Sequence, residues 1–523
     1  MKEKEKVLNK ARIGMLVLGS LFSLAALILV FNSGGYSKLS DYGENIETSE
    51  ITPVNSEPFN TEKKDIIPGN ILDRNGKVLC DFSKYPLVSR GKYIDNYMYS
   101  PLFEVMLSEK KLCEGLIGKY YDVLRDDSGD ASRGKDIALT IDHELQEKVY
   151  DILNKHLTEN TIKSDEIPKG SAMVLDVENG EILACVDFPS FDAREPENIE
   201  RYFYSYSDHI WPGSTFKVMT SIMLLENGYE EALYSDSEFE VMSGEEKRKI
   251  KNWYSEEYYS YDEKMNINYF EALERSSNAF FAHSMLNIAD SDKIMTDIAK
   301  RAGIGQELVL DFGNVPSSFI INKNDEYNLA STGFGQGEVK ICSVHNLIIS
   351  AALINGGKVI EPHMIKSVKN CFGEEEDLDY ISENYNIDGL ASEHKEMTLT
   401  SSEVAEKIHT AMINNNNSFL GNTEKSWIGI KTGTAQIGQE ADLSIIWIIS
   451  NAEVNGHKYA VVINEFPFKS GNVNSGILKE PMNMIYSAIE DILYEGEEIL
   501  YSDKDIEEYL EDIKQRSVTE KLD

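Results

Sequence analysis

Trp211-Pro212-Gly213-Ser214-Thr215-Phe216-Lys217 is the stretch whose reading decides the fold of this chain. A serine and a lysine stand three apart, just behind a Pro-Gly break. They head an apolar run of Val218, Met219, Ile222, Met223, Leu224 and Leu225. If that run is a helix, Ser214 and Lys217 lie on one face, one turn apart. A hydroxyl is a poor nucleophile at neutral pH, and a neighbouring amine that can lose its proton activates it. Ser-x-x-Lys also occurs at Ser89/Lys92, Ser108/Lys111, Ser132/Lys135 and Ser392/Lys395. None of those pairs opens a long apolar helical run, so the reading needs further motifs in order.

A second motif is Ser276-Ser277-Asn278, between an amphipathic stretch with Phe270 and Leu273 and the apolar Phe280-Phe281. In an extended or turn backbone, residues i and i+2 point the same way, so Ser276 and Asn278 can share one cleft. The amide offers a donor and an acceptor, and the hydroxyl can relay a proton. Ser382-Glu383-Asn384 and Ser470-Gly471-Asn472 match the same pattern. The third motif is Lys431-Thr432-Gly433-Thr434-Ala435, at the end of an apolar strand-like segment. Lys431 supplies positive charge, the threonine hydroxyls suit a carboxylate, and Gly433 lets another backbone or a ligand approach closely. Lys469-Ser470-Gly471 is a rival, but it follows its strand and sits among turn residues.

The rest of the chain predicts an α+β fold. Ile71-Leu72 and Val78-Leu79 read as short strands around Asn75-Gly76, and Ile137–Ile141 as another strand. Asp142 is placed to cap a helix with Leu145, Val149, Ile152 and Leu153 at helical spacing. Ala172–Val177 and Glu181–Val186 form a hairpin pattern around Asn179-Gly180. Helical segments are expected around 214–226, 268–287 and 291–302, and strands at Trp427–Thr432, Leu443–Ile449 and Lys458–Ile463. Pro481–Tyr494 reads as a final helix with its proline in the first turn. A strand pair, a helical middle and a late strand trio imply one antiparallel sheet covered by helices and built from both ends of the domain.

Of 523 residues, 41% are hydrophobic and 27% charged, a globular composition with room for two or three domains. A formal net charge of −38 argues against binding nucleic acid or anionic lipid. Residues 13–31 are apolar and uncharged, a length that suits one transmembrane helix. Lys2, Lys4, Lys6, Lys10 and Arg12 precede it, so residues 1–12 are expected in the cytoplasm and the bulk of the chain outside. Val30-Phe31-Asn32-Ser33 lacks a small-x-small cleavage site, which favours an uncleaved anchor in the cell membrane. Residues 32–66 read as a stalk, 67–166 as a small N-terminal module, 167–495 as the main domain and 496–523 as an acidic tail. The five cysteines include no Cys-x-x-Cys and indicate neither a metal cluster nor a disulfide framework. Cys185 and Cys342 read as small core residues. The nine histidines show no paired ligand spacing, and His209 and His283 are taken as structural.

Three motifs in this order, at 214, 276 and 431, are the signature of penicillin-binding proteins and related β-lactamases. From about Asn70 to Tyr486 the chain resembles a class B penicillin-binding protein, a peptidoglycan D,D-transpeptidase, of the compact type with a short N-terminal module. Further resemblances are Asn70–Leu79, Arg133–Asp142, the Asn-Gly hairpin, Pro189-Ser190-Phe191-Asp192, Gly333-Phe334-Gly335-Gln336-Gly337 and Asn355-Gly356-Gly357. The chain departs from the family at Pro68-Gly69, where Arg-Gly is usual, and at Asp208-His209-Ile210-Trp211. It also lacks a His-x-Trp near the start of Leu443–Ile449. No glycosyltransferase module fits.

The resemblance implies a serine β-lactamase-like transpeptidase domain and an acyl-enzyme on Ser214, formed from stem peptides or from β-lactams. Lys217 would take the serine proton, and a lysine with an ordinary pKa of about 10.4 must be lowered to about 7–8 for that work. Burial and the like charge of Lys431 would lower it. Ser276 would pass a proton to the leaving amine, and Asn278 would hold the peptide backbone. Thr432 and Thr434, beside Gly433, would bind the substrate carboxylate, and the backbone N–H groups of Ser214 and Thr434 would form the oxyanion hole. No metal or organic cofactor is implied. A SEDS-type membrane glycan polymerase is the implied partner. The rival readings are a β-lactamase or D,D-carboxypeptidase, in which water resolves the acyl-enzyme, and a non-catalytic β-lactam sensor or scaffold.

Overall fold

The computed structural model describes residues 67–82, 92–93, 98–103, 115–126, 133–160, 169–190, 204–254, 266–418, 425, 427–437, 443–469 and 474–496. Chain contacts divide the protein into Met1–Lys63 and Lys64–Asp523. All that follows concerns the second unit. The expected transmembrane helix at 13–31, the stalk and the tail beyond 496 lie outside the described residues. Among the described residues no helix is long and apolar enough to cross a membrane.

The expected Asn-Gly turn at Asn75-Gly76 joins β1 (Ile71–Leu72) to β2 (Val78–Asp81), with Gly76 at φ +87°. With β3 (Lys92–Tyr93) and β4 (Asp136–Leu139) these make most of a six-stranded sheet. Its remaining strands, Ile365–Lys369 and Glu375–Glu376, come from far along the chain. Ile365–Lys369 pairs antiparallel with β4, so residues of the 67–166 stretch and of the 167–495 stretch share one sheet. Lys135 of the Ser132/Lys135 pair is taken up there, bonded to Asp126 at 2.9 Å and Glu376 at 2.7 Å. Asp142 caps α1 (His143–Asn160) as expected, accepting from the N–H groups of Glu144 and Leu145.

The sheet of longer strands has five, all antiparallel: β5 (Lys169–Asp176), β6 (Ile182–Phe188), β7 (Gly429–Ile437), β8 (Leu443–Val454) and β9 (His457–Lys469). Their order is β7-β8-β9-β5-β6, which sets the first strands of the domain beside the last. Both faces are buried, and this explains why β8 reads as a continuous apolar run. Ile446 and Ile448 face α1 and α7 (Lys479–Leu493), packing with Leu145, Val149, Met482 and Ile485. Ile445, Trp447 and Ile449 face the helical middle. Each large side chain so buried contributes roughly 1.5–3 kcal/mol.

The helical middle includes α2 (Lys217–Glu226), α3 (Tyr269–Arg275), α4 (Asn278–Asn287), α5 (Ser343–Ile354) and α6 (Ser402–Ser418), and the helix expected at 291–302 is present as Ser291–Arg301. The helical segment expected around 268–287 is two helices, not one. Asn268 and Glu271 form a capping box that starts α3, and Ser277 accepts from Phe280 N to start α4. Each helix has its own start signal, and Ser276 between them adopts φ +55°. The strand expected to end at Thr432 runs on to Ile437, which places Lys431–Thr434 inside it. Lys431, Gly433 and Ala435 alternate inward, while Thr432, Thr434 and Gln436 are more open. Sequence reasoning passed over α5 and α6: α5 is buried on every side, its few polar residues included, and so shows no solvent face. Cys185 and Cys342 are buried, as expected.

Candidate active site

Gly213 begins the site. Its φ is +55°, and a side chain there would meet the Thr434 carbonyl and Ala435 N at 2.9 Å. Only glycine fits both demands. Residues Gly213–Phe216 form a 3-10 turn that feeds directly into α2. In such a turn residues i and i+3 eclipse, so Ser214 and Lys217 share a face more tightly than in an α-helix. The turn is pinned from behind. Gly213 N donates to Gly335 O at 3.0 Å, Trp211 Nε1 to Gly337 O at 2.8 Å, and Trp447 Nε1 to Trp211 O at 2.9 Å. The Gly333–Gly337 landmark therefore backs the turn that carries Ser214.

The three motifs converge on one amine. Lys217 Nζ lies 2.7 Å from Ser214 Oγ, 2.7 Å from Ser276 O, 3.1 Å from Ser276 Oγ and 2.8 Å from Asn278 Oδ1. Lys431 Nζ donates to Ser276 Oγ at 2.9 Å and to Thr432 O at 2.9 Å. The left-handed turn at Ser276 aims both its carbonyl and its hydroxyl at Lys217. Asn278 opens α4, and its Nδ2 donates to Lys251 O at 2.7 Å. Both ends of that amide are thus engaged, each with one further bonding site left: a lone pair on Oδ1 and a proton on Nδ2.

Lys217 is fully buried and Lys431 is 2% exposed. Burial first, and the charge of Lys431 second, hold Lys217 well below the ordinary lysine range, while Asp236 acts in the opposite direction. Burial alone brings Lys431 down to about 7. A lysine so placed can present a neutral amine to the serine hydroxyl at neutral pH. β7 is the edge of its sheet and packs against the turn. A side chain at Gly433 would meet Pro212 O at 2.9 Å and Thr215 N at 3.0 Å. That close approach brings the backbone at Thr434 beside the backbone at Ser214.

These groups line a cleft of about 630 Å³ that includes Ser214, Ser276, Asn278, Lys431, Thr432 and Thr434. Gln336 of the Gly333–Gly337 landmark also lines it, as do Trp253, Arg275 and Tyr327, which sequence reasoning missed because no local pattern marks a cleft wall. It missed Asn252 as well, whose Oδ1 accepts from the N–H groups of Asn278 and Ala279. Of the rival motifs, Ser382 and Asn384 lie on the surface helix Leu378–Tyr385, and 470–472 lies outside the described residues. His283 stacks on Phe239, with the ring centroids 3.9 Å apart.

Residues 170–482, more than half of the chain, match the penicillin binding protein transpeptidase domain. The chain belongs to the penicillin-binding protein transpeptidase family. The family resemblance carried by the three motifs is borne out. Among similar proteins, penicillin-binding protein 3 of Bacillus subtilis strain 168 is 27% identical over 259 residues, 45% of this chain and 35% of that protein. The peptidoglycan D,D-transpeptidase FtsI homolog of Mesostigma viride is 28% identical over 246 residues, 44% of this chain and 38% of that protein. The chain therefore matches little more than a third of the length of these curated relatives. The solved penicillin G acyl-enzyme complex of penicillin-binding protein A from M. tuberculosis shares the fold, with a TM-score of 0.63 at 20% identity. It covers 81% of this chain and 99% of that one.

Proposed function

We propose that this penicillin-binding protein is a class B peptidoglycan D,D-transpeptidase that works through a Ser214 acyl-enzyme and is acylated by β-lactams. The observation that carries the reading is the Lys217 amine, buried and in contact with Ser214, Ser276 and Asn278 at once. Lys217 takes the proton of Ser214 as Oγ attacks the carbonyl carbon of the penultimate D-Ala. The oxyanion is held by the backbone N–H groups of Ser214 and Thr434, where one donor is typically worth about 10²–10³ in rate. The C–N bond then breaks, and the terminal D-Ala leaves with a proton passed through Ser276. The amine of a second stem peptide attacks the ester, forms the cross-link and frees Ser214. Asn278 holds the peptide backbone, Lys431 keeps the cleft positive, and Thr432 and Thr434 bind the terminal carboxylate.

The solved relative held as a penicillin G acyl-enzyme supports β-lactams as substrate mimics here. The FtsI homolog supports peptidoglycan stem peptides as the substrate class. The apolar run at 13–31 and its basic flank support a single-pass anchor with a cytoplasmic N-terminus. The stalk and a module drawn from 67–166 would then hold the catalytic domain outside the membrane. A SEDS-type glycan polymerase would meet the anchor and the module.

The test is a fluorescent penicillin added to the full chain and to its Ser214→Ala variant, followed by a denaturing gel. A stable band that vanishes in the variant supports the transpeptidase. Loss of the band with rapid hydrolysis of the penicillin would instead support a β-lactamase. No band with intact penicillin would support an idle sensor or scaffold.

A further inference from the structure

A neutral Lys217 has two N–H bonds and one lone pair. Two of its neighbours have oxygens that only accept: the Ser276 carbonyl at 2.7 Å and Asn278 Oδ1 at 2.8 Å. When those two take the protons, the lone pair is left towards Ser214 Oγ at 2.7 Å. An Asn278 amide turned over would present its NH2 group to the amine and draw the lone pair away from the serine. The orientation of one amide thus decides whether the base faces the nucleophile.

That orientation is set by residues leaving the hairpin Phe239–Ser243/Glu246–Ile250. Lys251 O accepts from Asn278 Nδ2 at 2.7 Å, which keeps Oδ1 on Lys217. Asn252 Oδ1 accepts from the backbone N–H groups of Asn278 at 2.7 Å and Ala279 at 3.1 Å. These are first-turn donors without a partner inside α4. Asn252 is itself oriented, because its Nδ2 donates to Asp236 O at 2.7 Å and Asp236 Oδ1 at 2.9 Å. Asp236 is buried and also accepts from Tyr254 OH at 2.7 and 2.8 Å and from Arg275 Nη1 at 3.5 Å. An acceptor on that side forces the NH2 of Asn252 towards Asp236 and its oxygen towards α4.

We propose that Asn252, with Asp236 behind it, is a positioning residue for serine acylation: it seats Asn278 so that the Lys217 lone pair faces Ser214. The inference rests on the acyl-enzyme reading above. Removing Asn252 strands two helix donors and frees the Asn278 backbone to shift, so the cost falls on the chemical step rather than on ligand capture.

The experiment measures acylation of the full chain by a fluorescent penicillin, separating the saturating rate from the half-saturating concentration. Asn252→Ala is expected to lower the saturating rate about tenfold or more and to change the half-saturating concentration by less than about twofold. In an Asn278→Ala background, with no amide left to orient, the same substitution is expected to change the rate by less than about twofold. Equal rates for the unsubstituted protein and Asn252→Ala overturn the proposal. So does a full loss in the Asn278→Ala background, which would make Asn252 a helix cap only. If the unsubstituted protein is never acylated, the acyl-enzyme reading fails and takes this one with it. Asp236→Ala carries the test if Asn252→Ala does not fold: it removes the carboxylate that accepts from Asn252 Nδ2 at 2.9 Å. Measured on the pH plateau, where loss of the Asp236 charge no longer alters the protonation of Lys217, its saturating rate is expected to fall several-fold, and by less than about twofold in the Asn278→Ala background. An unchanged rate, or an equal fall in both backgrounds, overturns the proposal.

Discussion

Lys217 and Lys431 meet at one hydroxyl: Ser276 Oγ accepts from Lys217 Nζ at 3.1 Å and from Lys431 Nζ at 2.9 Å. Both bonds can form while Lys217 is protonated; once Lys217 is neutral its two N–H bonds go to Ser276 O and Asn278 Oδ1, and Ser276 Oγ keeps the bond from Lys431. Two buried ammonium groups this close repel strongly, because little water screens them. Loss of a proton relieves the repulsion. The pair therefore supplies a neutral base and retains one charge when only Lys217 is deprotonated.

The pH profile follows. With Lys217 as the proposed base, acylation needs it neutral, and the rate is expected to rise with pH through a pKa well below the ordinary 10.5. Lys431→Met removes the positive charge that helps lower it. The acid limb is expected to move to higher pH, and the rate at pH 7 to fall by about tenfold or more. Rates of fluorescent-penicillin acylation between pH 5 and 10 check this, and a limb that stays or moves down would refute it.

The same substitution has the opposite effect on stability. Burial lowers Lys431 from 10.5 to about 7. Between those values the unfolded chain holds a proton that the folded chain has released, so stability rises with pH across the window. Below about 7 the cost of burying the charge is present in full. Lys431→Met is expected to be more stable than the unsubstituted protein at pH 6, by about 1–3 kcal/mol, with the gap closing towards pH 10. Urea denaturation at pH 6 and 9.5 measures it, and a variant less stable at pH 6 would contradict it.

Gly433→Ala drives a wedge between β7 and the Ser214 turn. Its Cβ would stand 2.9 Å from Pro212 O and 3.0 Å from Thr215 N. Neither backbone atom can yield without moving the N–H groups proposed to hold the oxyanion. Acylation is expected to fall by about 10²-fold, since misplacement on the order of 1 Å costs that much. Stopped-flow acylation checks the fall, and a rate within a few-fold of the unsubstituted protein would show that the strand yields freely.

Trp447→Phe removes the N–H that reaches Trp211 O at 2.9 Å. The ring is fully buried, so the variant leaves a small void and a carbonyl short of its donor. A loss of about 1–3 kcal/mol is expected in denaturant unfolding, together with slower acylation as the Trp211–Gly213 segment loosens. Unchanged stability would mean that the bond is dispensable.

Thr432 and Thr434 project into the cleft from the open side of β7. Replacing either with valine keeps the shape and removes one hydroxyl. The half-saturating concentration for acylation is expected to rise by about tenfold, the worth of one hydrogen bond to a charged group, with little change in the saturating rate. Loss confined to the saturating rate would assign the hydroxyls to catalysis rather than to carboxylate binding.

Much of the site is legible along the chain because its signals are short-range. Pro212-Gly213 marks the break, the apolar run after Lys217 marks α2, and the Asp142 side chain marks the start of α1. The left-handed Ser276 was harder to read, since a non-glycine residue at φ +55° carries no composition signal. The break in the 268–287 segment was nonetheless written in Asn268, Glu271 and Ser277, whose capping bonds start two helices where periodicity alone suggests one.

By itself the sequence determined the three motifs, their order, and the kind of element that carries each. Tertiary structure alone decided that β5 pairs with β9, that Ile365–Lys369 joins β4, and that Asn252 reaches α4. The physical reason is range. Capping, turn geometry and side-chain periodicity act over a few residues and leave their mark in the chain. Sheet order, the burial of two lysines against one hydroxyl, and the seating of an amide from another element depend on which faces exclude water together. That is a property of the packed whole.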